Sequence, residues 1–382
     1  MNNTPFSSWP SYTIEEADAV HEVILSNKVN YWTGSECRYF EKEFAVWSGS
    51  DYAVALGNGT QALDVALKAL NIGDGDEVIV ASRTFIASAS SIVNAGAIPI
   101  FADIDLDSQN ITVKSIESLI TSKAKAIICV HLAGWPCEMD EILDLAKKFD
   151  LYVIEDCAQA HGALYKGRPV GSIGHVGCWS FCQDKIMTTC GEGGMVTTSI
   201  KVLWEKMWAY KDHGKSYEAV YEQDHLEGFR WLHDNYGSNY RMTEMQAALG
   251  VSQMSRLHDF VAKRNKLAAV YDDLLKSLPL ITPKQINDSY SGRHLYVIRL
   301  KLDEISLSHK EVFEQLRENG IGVNLHYIPV HTQPYYKNLG FKQGQFPIAE
   351  SYYGDAISVP LSYVMTNEQQ NEVVTVLSKV LV

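Results

Sequence analysis

The sequence predicts an α/β protein: a large domain with a mainly parallel sheet flanked by helices, then a smaller C-terminal α+β domain. Three observations carry this. Short, almost wholly apolar runs recur (AVAL at 53–56, GDEVIV at 75–80, IPIFADID, AIICVHLAG, LYVIED). Each is followed by a stretch of helical periodicity. Strands buried on both faces read as continuous apolar runs, and their alternation with helices is the signature of parallel βαβ units. The chain, at 382 residues, also exceeds the usual size of one domain, and a new pattern begins at Ser291. We place the boundary near residue 260, giving a large domain over 1–260 with an N-terminal helical segment, and a small domain over 261–382.

In chain order, Thr13 to Ser26 predicts an amphipathic helix: Thr13 can cap it, Glu15 and Glu16 suit its first turn, and Ile14, Ala17, Val20 and Ile24 share a face. Phe40 and Phe44 open the apolar stripe of a second helix. Ala53 to Leu56 is a strand, Gly57-Asn58-Gly59 a tight turn, and Thr60 to Leu70 a helix. Such a turn is either a plain strand-to-helix connection or an anion site, because a helix start presents free N–H groups. Strand and helix then alternate, with helices over TFIASASSIVNAG, Lys114 to Ile120 and Met139 to Lys148. Ligands bind beyond the carboxyl ends of parallel strands, and Thr60, Phe85, His131 and Asp156 all follow strands. WEKMWAYKDHGK reads as a helix and loop, and Tyr217 to Tyr236 as an aperiodic excursion. NYRMTEMQAALGVSQMSRLHDFVAKRNKLAAVYDDLL carries helical periodicity with several breaks in polarity, a bridge between domains. RHLYVIRL and VNLHYIP read as strands, SHKEVFEQLRENG as a helix closed by Gly320, and NEQQNEVVTVLSKVL as the last helix.

A net charge of −13 argues against nucleic acid or an anionic membrane as the main partner. Seven cysteines, an odd number without disulfide-like spacing, suggest a reducing compartment. Met1 to Pro10 lacks the basic start and apolar core of a signal peptide. No run reaches the about eighteen apolar residues of a membrane span. The expected location is the cytoplasm.

Chemistry concentrates in SFCQDKIMTTCGEGG, residues 180–194, where Lys185 stands between a Ser-Phe pair and a glycine-rich turn. About thirty residues upstream, Asp156 closes an apolar strand. A pyridoxal phosphate enzyme needs this pair: a lysine to hold the aldehyde as a Schiff base, and an acid to keep the pyridine nitrogen protonated. Cys178, Cys182 and Cys190 lack a C-x-x-C spacing and read as buried apolar fillers rather than metal ligands, so no metal is expected. His131 and His161 either touch a ligand or satisfy backbone groups.

The ordered set NGTQALDVAL, SRTFIASASSI, EDCAQAHGA, SFCQDKIMTTCGEGGM and NYRMTEMQAALG resembles the DegT/DnrJ/EryC1/StrS family of pyridoxal-phosphate-dependent nucleotide-sugar aminotransferases, which have the aspartate-aminotransferase fold (fold type I). The likeness runs from about Trp32 to the carboxyl end. It implies amination of a keto group on a nucleotide-linked sugar, usually with glutamate as donor, for lipopolysaccharide and O-antigen, capsule, glycoprotein glycans or antibiotic sugars. By the resemblance, Lys185 is the Schiff-base lysine and Asp156 the partner of the pyridine nitrogen. Gln159 lies near the ring's phenolic oxygen and Phe85 stacks on the ring. Gly59, Thr60 and Ser180 hold the phosphate, as does Asn239 from a neighbouring subunit, which implies a homodimer with shared sites. His326 and Tyr327 lie where the second domain approaches the sugar.

Cys182 departs from the histidine common after the Ser-Phe pair, and Cys190 from a frequent glycine. Both spare the lysine and bear on the sugar rather than on cofactor chemistry. Relatives with histidine in place of the lysine are sugar dehydratases, which Lys185 argues against. A transferred amine needs one group that serves as base and then acid, and Lys185 is placed for both once released. The leading expectation is amination at C4 of a 4-keto-6-deoxy sugar. C3 or another position, and a non-catalytic regulator retaining the fold, are the alternatives.

Overall fold

The computed structural model describes residues 9–222, 232–286 and 288–382. Helix α1 (Ile14–Ser26) begins at the expected cap, where Thr13 and Glu16 form a capping box. Glu16 is fully buried and pairs with Arg256 at 2.6 Å, fastening α1 to a long helix far along the chain. Helix α2 (Glu36–Ser48) sends Phe40 and Phe44 into the interior.

The central sheet then builds up in sequence: β1 (Tyr52–Leu56), α3 (Gly59–Ala69), β2 (Glu77–Ala81), α4 (Ile86–Asn94), β3 (Ile98–Ala102), α5 (Val113–Glu117), β4 (Ala124–Val130), α6 (Met139–Lys148) and β5 (Tyr152–Asp156). Two-residue strands β6 (Leu164–Tyr165) and β7 (Arg168–Pro169) precede β8 (Val176–Ser180) and β9 (Gly194–Thr198). Seven strands pair in the order β1-β9-β8-β5-β4-β2-β3, and only β9 runs against the others. Helices cover both faces, so Val78, Val80, Ile128, Val153 and Ile154 are wholly buried. Each such side chain contributes about 1.5–3 kcal/mol. Because β1, β2, β4, β5 and β8 are parallel, Leu56, Ala81, Val130, Asp156 and Ser180 end at one edge.

Helices α7 (Lys201–Lys211) and α8 (Tyr217–Tyr221) follow. Residues 223–231 of the expected excursion, and 1–8 of the N-terminal segment read for a signal peptide, lie outside the described residues. Helix α9 (Glu244–Leu274) is unbroken over 31 residues, and the breaks in polarity read from the sequence do not interrupt it. Its polarity changes because its neighbours change. Leu257, Phe260 and Val261 pack with α2 and the Lys185 loop, while Leu267, Ala268 and Tyr271 join a second core.

That second core lies on a three-stranded sheet of β10 (Leu280–Ile281), β12 (Tyr296–Leu300) and β13 (Ala356–Val359), with β12 central. Strand β11 (Ser289–Tyr290) instead returns to pair with β6. Helix α10 (His309–Glu318), short helices α11 (Pro334–Asn338) and α12 (Pro347–Asp355), and α13 (Asn367–Leu381) complete the chain. VNLHYIP is not a strand. Only Asn324 bridges to Ser358, and the His326 carbonyl is taken by the Arg83 guanidinium instead of a sheet neighbour. The segment therefore leaves the small sheet and crosses to the carboxyl edge of the large one.

Candidate active site

A cavity of about 800 Å³ opens at that carboxyl edge. Nine of the ten candidate residues line it: Gly59, Thr60, Phe85, Asp156, Gln159, Ser180, Lys185, His326 and Tyr327. Asn239 does not; it is exposed, although the next residue, Tyr240, reaches the wall.

One corner is built by the β1–α3 turn. Asn58 caps α3, its side chain accepting from the Gln61 N–H at 2.9 Å. Among the described residues nothing accepts from the amides of Gly59 and Thr60 at the helix start, where the helix dipole favours an anion. A Cβ on Gly59 would lie 2.6 Å from the Ser180 Cβ. Only glycine lets the turn approach β8 so closely, and this brings the Ser180 hydroxyl to the same corner.

Asp156 forms the floor. Its carboxylate accepts from the Ser88 hydroxyl at 2.7 Å and the Ala158 N–H at 3.1 Å. Burial pushes this carboxyl up, against the opposing pull of those two hydrogen bonds and of the Lys185 charge. A buried acid held this way is complemented by a ligand carrying a positive charge.

Lys185 enters from the 181–193 loop. Its side chain is 11% exposed, with Nζ 3.5 Å from Asp184. Across the cavity the Gln159 Oε1 accepts from the Ala133 N–H at 2.7 Å, and its Nε2 donates to the Tyr327 hydroxyl at 2.7 Å. Phe85 is half exposed at the mouth, its ring 5.6 Å from that of Tyr327. His326 meets Ser358 Oγ at 2.8 Å, and burial together with the nearby Lys185 and Arg83 charges lowers its pKa to about 4.

The donor set fits pyridoxal phosphate: a hydroxyl-and-amide corner for a dianion, a buried acid for a ring nitrogen, a lysine between them, and an aromatic ring at the mouth. The other histidines stand apart. His131 lies under the floor, 3.0 Å from Glu155 and accepting from the Cys137 N–H. Glu155 is also held by the Gly171, Ile173 and Gly174 amides, so within the buried His131–Glu155–Cys157 cluster both His131 and Glu155 are satisfied by protein. Among the described residues neither ring nitrogen of His161 has a hydrogen-bond partner, and the ring packs on Trp179 and Phe181. The thiol reading needs correction: Cys178 is a buried filler, but Cys182 is half-buried on the cavity wall and Cys190 is exposed.

Sequence reasoning missed Ser88, Asp64 and Arg83. Ser88 stands three residues after Phe85 in the SRTFIASASS motif, where a first-turn side chain faces the strand edge. Asp64 lines the cavity, and burial raises its pKa to about 6. Arg83, wholly buried, stacks 4.1 Å over the Tyr352 ring and holds Gln109 as well as the His326 carbonyl.

This layout is that of the pyridoxal-phosphate-dependent aminotransferases of α/β fold. An X-ray structure of an aminotransferase from Psychrobacter cryohalolentis matches it with a TM-score of 0.95 and 51% identity, covering 98% of each chain. The model of the DegT/DnrJ/EryC1/StrS aminotransferase family matches residues 10–378, and the chain belongs to that family. It is a sugar aminotransferase of nucleotide-sugar biosynthesis. A GDP-perosamine synthase of Escherichia coli is 39% identical, covering 94% of both chains. A dTDP-3-amino-3,6-dideoxy-alpha-D-galactopyranose transaminase of Aneurinibacillus thermoaerophilus is 37% identical, covering 96% of both.

Proposed function

We propose that the chain binds pyridoxal 5'-phosphate in this cavity and transfers an amino group from glutamate to the C4 keto group of a nucleotide-linked 4-keto-6-deoxy sugar. The observation that carries the reading is the meeting of Lys185 and Asp156 beside the α3 amide corner in one cavity. The cofactor supplies an electron sink for the carbon that loses or gains a proton. Lys185 would be the tether and then the proton carrier, taking the proton from the donor's α carbon and delivering it to the cofactor's C4′, the carbon on the other side of the same nitrogen. Asp156 holds a positive ring nitrogen. Gly59, Thr60 and Ser180 orient the phosphate, Gln159 and Phe85 fix the ring, and His326 and Tyr327 meet the sugar.

Asn239, exposed and off the cavity of its own chain, reaches the phosphate of a second copy, so the working unit is a homodimer with shared sites. With seven cysteines free, the protein works in the cytoplasm. The Aneurinibacillus relative, named for a 3-amino product, favours C3 as the second reading. Incubation with glutamate and a panel of UDP-, GDP- and dTDP-linked 4-keto-6-deoxy sugars and their 3-keto isomers, with the product's amine located by NMR, decides between them. A C4 amine on one of these supports the proposal. A C3 amine, formed from a 3-keto isomer alone, sinks it.

A further inference from the structure

The 181–193 loop is irregular, so its backbone groups must find partners individually. Within the loop, Lys185 N–H donates to the Cys182 carbonyl at 2.9 Å, Gln183 N–H to Gly191, and Thr189 N–H to Phe181. Helix α9 ties it from outside: Gln253 accepts from the Thr188 N–H at 2.9 Å and Gln246 donates to the Glu192 carbonyl at 2.7 Å. The carbonyl of Lys185 itself goes elsewhere. It accepts from the indole Nε1 of Trp9, 176 residues away, at 3.0 Å.

Trp9 is well placed to hold it. Its ring packs edge-on against Phe260 with centroids 5.9 Å apart, and the Arg264 guanidinium lies 5.7 Å from it. Phe260 in turn packs on Tyr363, and Arg264 donates to the Leu361 carbonyl at 2.9 Å. The N-terminal segment is thus a strap across the back of the lysine loop, anchored on α9 and on the stretch after β13. An indole can only donate, so this hydrogen bond has one direction.

We propose that Trp9 is a positioning residue for Lys185: by fixing the main-chain carbonyl it sets where the lysine side chain starts, and so how readily the amine reaches the cofactor's aldehyde. The inference rests on Lys185 being the attachment residue. Placement matters because a reacting amine held about 1 Å out of line loses rate steeply.

The test uses full-length apoprotein mixed with pyridoxal phosphate. Capture is followed by absorbance, and attachment to Lys185 is counted by borohydride reduction and mass spectrometry. Trp9→Phe keeps a ring and deletes the donor. Leu316→Ala, in the small-domain core on α10, lowers stability without touching the strap. Trp9→Phe should slow attachment about three- to tenfold, the worth of one hydrogen bond. Leu316→Ala should lower Tm more than Trp9→Phe does while leaving attachment within twofold of wild type. Attachment at the wild-type rate in Trp9→Phe overturns the proposal, as does equal slowing in both variants in step with their loss of Tm. A modified residue other than Lys185 in the reduced wild type would instead refute the attachment site, a separate failure.

Discussion

Gln159 fixes Tyr327 across the cavity, its amide Nε2 donating to the phenol oxygen at 2.7 Å. The other end of the amide is not free to rotate, because Oε1 already accepts from the Ala133 N–H. Tyr327 oxygen is therefore an acceptor toward Gln159, and its own proton points to another partner. Burial holds the phenol well above its ordinary pKa, so it is a neutral donor at working pH. Tyr327→Phe should leave folding intact and lower kcat/KM for the sugar about three- to tenfold, with the donor half-reaction little changed. An equal loss in both half-reactions would remove Tyr327 from the sugar.

Asp156 is a burial cost to the protein without a cationic partner, since its carboxyl is pushed up in the folded state. A raised acid pKa means stability falls as pH rises through the range where the carboxyl ionises. Asp156→Asn should therefore unfold no earlier than wild type as apoprotein at pH 8. It should still bind cofactor, yet lose turnover by at least about a hundredfold, because an amide cannot balance a positive ring nitrogen. Near-normal turnover would place that nitrogen's partner elsewhere.

His161 gives a test independent of cofactor. Burial, with the Lys185 and Arg264 charges, lowers its pKa to about 3 from an ordinary 6.5. The unfolded chain then binds a proton that the folded chain refuses, so stability is lost as pH falls below about 6.5. The slope approaches about 1.4 kcal/mol per pH unit at most. His161→Phe keeps the ring packing on Trp179 and Phe181 and removes that proton. Denaturant midpoints should fall less steeply from pH 6.5 to 4.5 in the variant. Parallel pH profiles would mean that His161 is accessible to protons in the fold.

What the sequence made legible was what repeats locally. Continuous apolar runs gave the parallel strands, and Thr13 gave the first helix's cap. Strand β9 was not legible, because GMVTT owes its place to pairing with β1 and β8 rather than to its own pattern. VNLHYIP has strand composition, but Arg83 captures its His326 carbonyl from 243 residues away. The breaks in α9 were changes of neighbour, which a single periodicity cannot express. In the site, Lys185 and Asp156 stood out by spacing and motif. Ser88, Arg83 and Trp9 act through contacts between distant segments, and no local pattern marks them.

Asn239 carries the prediction about assembly. Lys185→Ala and Asn239→Asp should each be inactive alone. Mixed under conditions that allow subunit exchange, they should form dimers in which one site carries both lesions and the other neither. About half the activity per mixed dimer should return. No recovery after demonstrated exchange would mean that each site is built within one chain.

The central claim, that Lys185 in this cavity moves an amino group, is tested most directly by one half-reaction. Purified protein loaded with pyridoxal phosphate is mixed with glutamate alone, and 2-oxoglutarate is measured against the number of chains. About one equivalent should be released per wild-type chain, with loss of the bound aldehyde's absorbance, and release from Lys185→Ala should be slowed by several orders of magnitude. Release from Lys185→Ala at the wild-type rate, or none from the wild type, would contradict it.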